Sequence, residues 1–165
     1  MQFTQEQLTE MLDKHAKWLR GDGGGERADF TGANLTEANL TGAVLSGANL
    51  TNVKNLPSFQ IVPETGAFQG WKKLQGGYIA LIEIPKNAGR VSSTGRKCRA
   101  EFVKVLLIYS PKGRKTTKPI GGHRDSKFMY QAGKTVRADK WDDDIRVECT
   151  HGIHFFLTRK EAEEY

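Results

Sequence analysis

At 165 residues, with 38% hydrophobic and 27% charged residues, the chain has the make-up of a globular protein with one main body and room for an appendage. No apolar run approaches the roughly 20 residues that a membrane-spanning helix needs, so a helical span is excluded. The polar first seven residues argue against a secretory leader. Two cysteines, Cys98 and Cys149, cannot build a disulfide framework, and a reducing, cytoplasmic setting is the expectation.

Charge is unevenly distributed. Residues 1–70 carry five basic and eight acidic side chains, while residues 71–165 carry twenty basic and eleven acidic ones. Within 86–118, ten Lys or Arg face the single acid Glu101. Such a surface attracts phosphates, nucleotides or nucleic acid at long range; a solvated basic face without a ligand has the same signature.

Residues 4–20 predict one amphipathic helix. Thr4 and Gln7 form a capping-box pair, and Phe3 and Leu8 have the spacing of a hydrophobic staple. Leu8, Met11, Leu12, His15 and Leu19 share one face, bordered by Trp18. The run Gly21-Asp22-Gly23-Gly24-Gly25 stops the helix. A phosphate-binding loop would need a strand before it and a helix after it, so this run is read as a flexible link between the helix and the repeat.

From Ala28 the chain repeats in fives. Phe30, Leu35, Leu40, Leu45 and Leu50 share one phase, and Ala28, Ala33, Ala38, Ala43 and Ala48 another. Period five matches neither helix nor strand and suits a solenoid with two inward phases and polar Asn, Thr and Ser outside. The A-(D/N)-L-x-x pattern over 28–52 resembles the pentapeptide-repeat family. The resemblance implies four pentapeptides per square coil of a right-handed β-helix, hence little more than one coil within 22–56. A stub this short needs covering at its ends, by the helix over 1–21 and by the C-terminal body. Its few charges rule out imitation of a DNA duplex.

Residues 57–70 contain Pro57, Pro63, Gly66 and Gly70 and are read as a connector. The body over 71–165 is β-rich, with strands expected at 78–84, 101–109, 128–130, 135–136, 145–149 and 153–157. A second capping-box pattern, Thr158 to Glu161, opens a short terminal helix. The fold class is α+β: an N-terminal helix, a repeat coil, and an antiparallel β-rich C-terminal domain.

Chemistry-bearing residues cluster in that domain. Cys149, His151 and His154 lie within six residues, but the spacing is no strong zinc signature, and no metal or other cofactor is expected. On a regular strand His151 and His154 would point to opposite faces, unless a turn at Gly152 brings them together. A buried Cys149 and a hydrogen-bonded His are the favoured reading. Cys98, among Arg96, Lys97 and Arg99, is read as a small buried strand residue rather than a nucleophile. The loop Gly121-Gly122-His123-Arg124-Asp125 sets a guanidinium beside glycines whose amides can approach an anion. Asp142, Asp143 and Asp144 are read as a solvated acidic turn.

Four blocks then align with something known: Gly76–Pro85, Arg96–Ala100, Phe128–Tyr130 with Gly133, and Glu148–Arg159. They resemble an uncharacterised domain that follows pentapeptide repeats in many bacteriophage proteins, over about 71–165. Lys17-Trp18-Leu19-Arg20-Gly21 is similar to that family's opening. Cys149-x-x-Gly152-Ile153-His154 also resembles, more distantly, a block of phage rapid-lysis B-type proteins. The resemblance implies a phage origin and action in the bacterial cytoplasm.

The expectation is a non-enzymatic phage accessory protein with a counter-defence role. It captures an anionic, nucleotide-like host ligand through Arg96, Arg99, His123, Arg124, His151 and His154, with nucleic acid or an acidic host protein as other partners. Two alternatives stand beside it: a small hydrolase using His123, His151 or His154, and a protein–protein interaction or oligomerisation module acting on a host protein, with the coil as the route to a homo-oligomer.

Overall fold

The structure, a computed structural model, describes residues 2–40, 43–56, 60–92, 95–145, 147 and 149–165. It divides into two compact units, one containing Met1–Phe59 and the other built from Gln60–Ser92, Arg96–Ile145 and Cys149–Tyr165. Among the described residues no helix is long and apolar enough to cross a membrane.

In the first unit, α1 spans Gln5–Arg20. Its capping box is formed: the Gln7 amide donates to Thr4 Oγ1 at 3.3 Å and the Thr4 amide to Gln7 Oε1 at 2.9 Å. Gly21 ends the helix at φ 73°, a left-handed conformation that glycine adopts without a Cβ clash. Leu8 and His15 are the buried positions, while Trp18 and Leu19 are exposed, so the apolar stripe is shorter than the spacing predicts. The glycine run also does more than link. A Cβ on Gly25 would lie 2.3 Å from the Trp18 backbone nitrogen, and the Glu26 amide donates to the Lys14 carbonyl. Only glycine lets the chain return this close to the helix.

The repeat buries both predicted phases. Phe30, Leu35, Leu40, Leu45 and Leu50 are inside with Ala28 and Ala33, while Ala38, Ala43 and Ala48 are partly buried against them. Thr41 and Gly42, which also fall within the predicted repeat, lie outside the described residues. Asp29 bridges Asn49 and Asn34 bridges Lys54, both in parallel, so the chain stacks on itself at an offset of twenty residues, or four pentapeptides. A second regularity sits in the polar phases. Asp29, Asn34 and Asn49 each accept from the amide and hydroxyl of the Thr two residues on, tying these three corners locally. The described fifth positions of the repeats are left-handed: Gly32, Glu37, Gly47 and Asn52 have φ between 56° and 75°.

The second unit is antiparallel. A five-stranded sheet runs β1 (Phe68–Lys73), β2 (Ile79–Ile84), β5 (Phe102–Tyr109) and β6 (Lys115–Thr116), with β9 (Thr135–Arg137) pairing the other end of β5. A three-stranded sheet sets β4 (Cys98–Ala100) between β10 (Ile153–Phe155) and β3 (Arg90–Ser92), and β7 (Ile120–Gly121) pairs β8 (Met129–Tyr130). Val103, Val105 and Ile108 of β5 bury against Ile82 and Ile84 of β2 and Phe155 of β10. The helix α2 (Arg159–Glu164) starts from the capping box at Thr158 and Glu161.

Several expectations change here. The predicted connector gives β1 from Phe68 onward, because Phe68, Gln69, Gly70, Trp71, Lys72 and Lys73 pair along their whole length with β2. The strand predicted over 145–149 does not form at its described positions Ile145, Val147 and Cys149; Arg146 and Glu148 lie outside the described residues, as do residues 57–59 of the connector. Cys149 is exposed rather than buried.

Candidate functional site

Three segments meet at the far end of β1. Trp71 exchanges backbone hydrogen bonds with Phe156 just past β10, at 2.7 and 2.8 Å, and Leu74 bridges Gly122 just past β7. Between them opens a cleft of about 270 Å³, lined by Lys72 and Lys73, by the 122–125 loop with Phe128 and Tyr130, by Asp139, by residues 150–154, and by Phe156 and Tyr165.

Strand alternation sets what β1 contributes. Gly70 and Lys72 share a face. A Cβ on Gly70 would fall 2.7 Å from the Phe155 ring, so the glycine lets that ring pack against the strand. Two residues on, Lys72 carries its ammonium to the cleft, where Nζ donates to the His154 carbonyl at 2.8 Å and lies 5.4 Å from the centroid of the Tyr130 ring. Burial pushes the Lys72 pKa down from 10.5 to about 8. Burial also pushes the Tyr130 hydroxyl up, with Asp125 adding to the shift. Neighbouring Lys73 donates to the Glu163 carbonyl at 3.0 Å, anchoring α2.

The hairpin between β7 and β8 supplies His123 and Arg124. Its glycines serve the turn rather than a ligand: the Gly122 amide donates to the Phe128 carbonyl, and a Cβ there would meet the Asp125 carbonyl at 2.6 Å. The Arg124 guanidinium stacks on Tyr165 at 5.1 Å, and the ring of His123 meets Tyr165 edge-on at 6.1 Å.

Before β10, Gly152 has φ 142° and lies wedged between Trp141 and Arg99. This bend lets His151 and His154 line one cleft although only His154 belongs to β10. The acidic run is held to this segment, with Thr150 Oγ1 donating to Asp142 at 2.7 Å. The Asp144 amide and that hydroxyl hold the Asp142 carboxyl below its usual pKa.

Of the six residues predicted to bind a ligand, His123, Arg124, His151 and His154 converge on the cleft. Arg99 does not reach it. It is fully buried in β4, and its Nη2 donates to the carbonyls of Asp142 and Asp144 at 3.4 and 2.8 Å, so its charge serves backbone oxygens. Arg96 pairs instead with Glu161 at 2.6 Å, joining the start of β4 to α2. Cys98 is buried and its thiol is pushed up to about 12 by burial. Cys149 accepts from Lys97 Nζ at 2.8 Å. Among the described residues no three His, Cys, Asp or Glu side chains come together as a metal site. Lys72, Lys73 and Tyr130 were not among the predicted site residues; the available signal was a lysine two places after Gly70, the last residue of the segment taken for a connector.

The model of a family of unknown function (DUF5758) matches residues 58–162, which takes in every wall of this cleft except Tyr165. The model for pentapeptide repeats (8 copies) matches residues 26–54. No curated protein and no solved structure matches the chain.

Proposed function

We propose, for a chain that belongs to this family of unknown function (DUF5758), that the second unit binds an anionic ligand of about nucleotide size in the cleft over β1. The observation that carries this reading is Lys72. Its ammonium is desolvated at the cleft, and among the described residues no carboxylate forms an ion pair with it. A cation in that position is stabilised by an incoming anion. Lys73 and Arg124 add charge, His123 and His151 add hydrogen-bond donors, and the rings of Phe128, Tyr130, Phe156 and Tyr165 offer stacking surface. In the phage setting that the resemblance implies, the ligand is a host nucleotide signal, captured as a counter-defence. The repeat forms about one coil of a right-handed β-helix and is the scaffold of the first unit.

A second reading draws on the three histidines that line the cleft: a phosphodiesterase-type hydrolase with His123, His151 or His154 as acid and base. Titration calorimetry of the full chain against inorganic phosphate, nucleotides, cyclic nucleotides and short oligonucleotides, with product analysis of each mixture, separates the two. Salt-dependent binding without turnover supports capture, and turnover supports the hydrolase. No binding of any anion removes both.

A further inference from the structure

We infer that Lys72 is a covalent capture point for carbonyl-bearing anions, its Nζ condensing with the aldehyde or ketone carbon of a ligand held in the cleft to form an imine. This rests on the anion-binding reading above and names a ligand chemistry for the same site.

Lys72 differs from the exposed, carboxylate-paired lysines in its surroundings. Lys14 lies between Glu10 and Glu26 at 3.2 and 3.6 Å, and Lys160 faces Glu164 at 3.8 Å, all with substantial exposure. Such lysines are paired with carboxylates and open to water. Lys72 has a backbone carbonyl and an aromatic face as its partners, a setting that weakly supports an ammonium and leaves the neutral amine accessible. Its lowered pKa agrees with that geometry, since an amine titrating near 8 is unprotonated far more often at neutral pH than an ordinary lysine. Half-burial keeps the side chain open to the cleft.

The neutral amine attacks the carbonyl carbon, and the carbonyl π pair moves to oxygen. Transfer of the nitrogen's proton to that oxygen gives a carbinolamine. Loss of hydroxide, protonated to water, leaves the protonated imine, and loss of its proton gives the neutral imine. One water is released per carbonyl consumed, and nothing is oxidised or reduced. His151 and His123, on the wall of the same cleft, are placed to carry these protons. Arg124 and Lys73 hold the ligand's carboxylate or phosphate, which concentrates the carbonyl at the amine.

The test is reductive trapping. The full chain is treated near neutral pH with limiting glyoxylate and cyanoborohydride, and the adducts are mapped by peptide mass spectrometry, with phosphate binding measured in parallel by calorimetry. Lys72 should be labelled at least about tenfold faster than exposed Lys112 and Lys118, inorganic phosphate should slow Lys72 alone, and urea should abolish the difference. Lys72→Arg should lose the fast-labelled site while still binding phosphate. Equal labelling of Lys72 and the surface lysines in a protein that binds phosphate overturns the imine and leaves the anion cleft standing. Failure to bind phosphate overturns the anion cleft itself, and with it capture of carbonyl-bearing anions.

Discussion

Lys72 Nζ donates to the backbone carbonyl of His154 at 2.8 Å, joining β1 to β10 through a side chain. The bond holds a cation where burial disfavours charge. The Lys72 pKa in the folded chain, about 8, lies below the ordinary 10.5. Between those values the unfolded chain binds more protons than the folded one, so this residue's contribution makes stability rise with pH across that window. Below pH 8 the cost is fully present. Lys72→Met removes the charge and leaves the His154 carbonyl without this donor. The expected net effect is a gain of about 1–2 kcal/mol near pH 7 that shrinks towards pH 10, read from urea denaturation at both.

Arg124 and Arg96 separate the two kinds of arginine in this domain. Arg124 lines the cleft over Tyr165, and Arg96 pairs with Glu161. Arg124→Ala should weaken anion binding by about 1.5–3 kcal/mol, roughly ten- to a hundredfold. Arg96→Ala should leave affinity within about twofold and lower stability by up to about 1 kcal/mol, the range for an exposed ion pair. Calorimetry on both variants checks this; equal loss in the two would remove the cleft as the binding site.

Leu40 is 4% exposed within the repeat's core. Leu40→Ala should cost about 2–5 kcal/mol, as truncation of a buried leucine does. Leu40→Asp should prevent soluble expression. An unchanged melting temperature for Leu40→Asp would show that the inward phase is misassigned.

Glu37 sits at φ 63° where Gly32 and Gly47 occupy the same place in their repeats. A side chain with a Cβ is strained there, by about 1–2 kcal/mol, partly offset by the greater unfolded freedom of glycine. Glu37→Gly should therefore stabilise the chain by about 0.5–1 kcal/mol, seen as a higher denaturation midpoint with unchanged slope.

The repeat and both helices were legible because their signals are local. Thr4 with Gln7 and Thr158 with Glu161 are capping pairs that form within one turn, and the Leu phase is a simple period. Strand β1 was hidden because Gly70 reads as a loop residue until Phe155, eighty-five positions away, is seen packing on it. The same distance problem misplaced Arg99. Its neighbours in sequence are cations, but its partners are the carbonyls of Asp142 and Asp144. The candidate site was half readable: His123 and Arg124 share a turn and His151 and His154 a segment, whereas Lys72 joins them only through sheet pairing.

The twenty-residue offset between Asp29 and Asn49 turns the repeat into a reading frame. One residue inserted between Asn34 and Asn49 would rotate Leu50 and every inward position after the insertion towards solvent, and would pull Asn55 off Asn34 and Thr36, to which it donates at 2.9 and 2.8 Å. Five inserted residues would keep each side chain on its own face and shift only the partner stacked beneath it. Length changes in this wall are thus admissible in quanta of one pentapeptide. A helix or an ordinary sheet edge imposes no such arithmetic, since a loop can absorb a residue there. Frame-shifted and frame-preserving insertions of nearly equal size should differ sharply in their effect on folding.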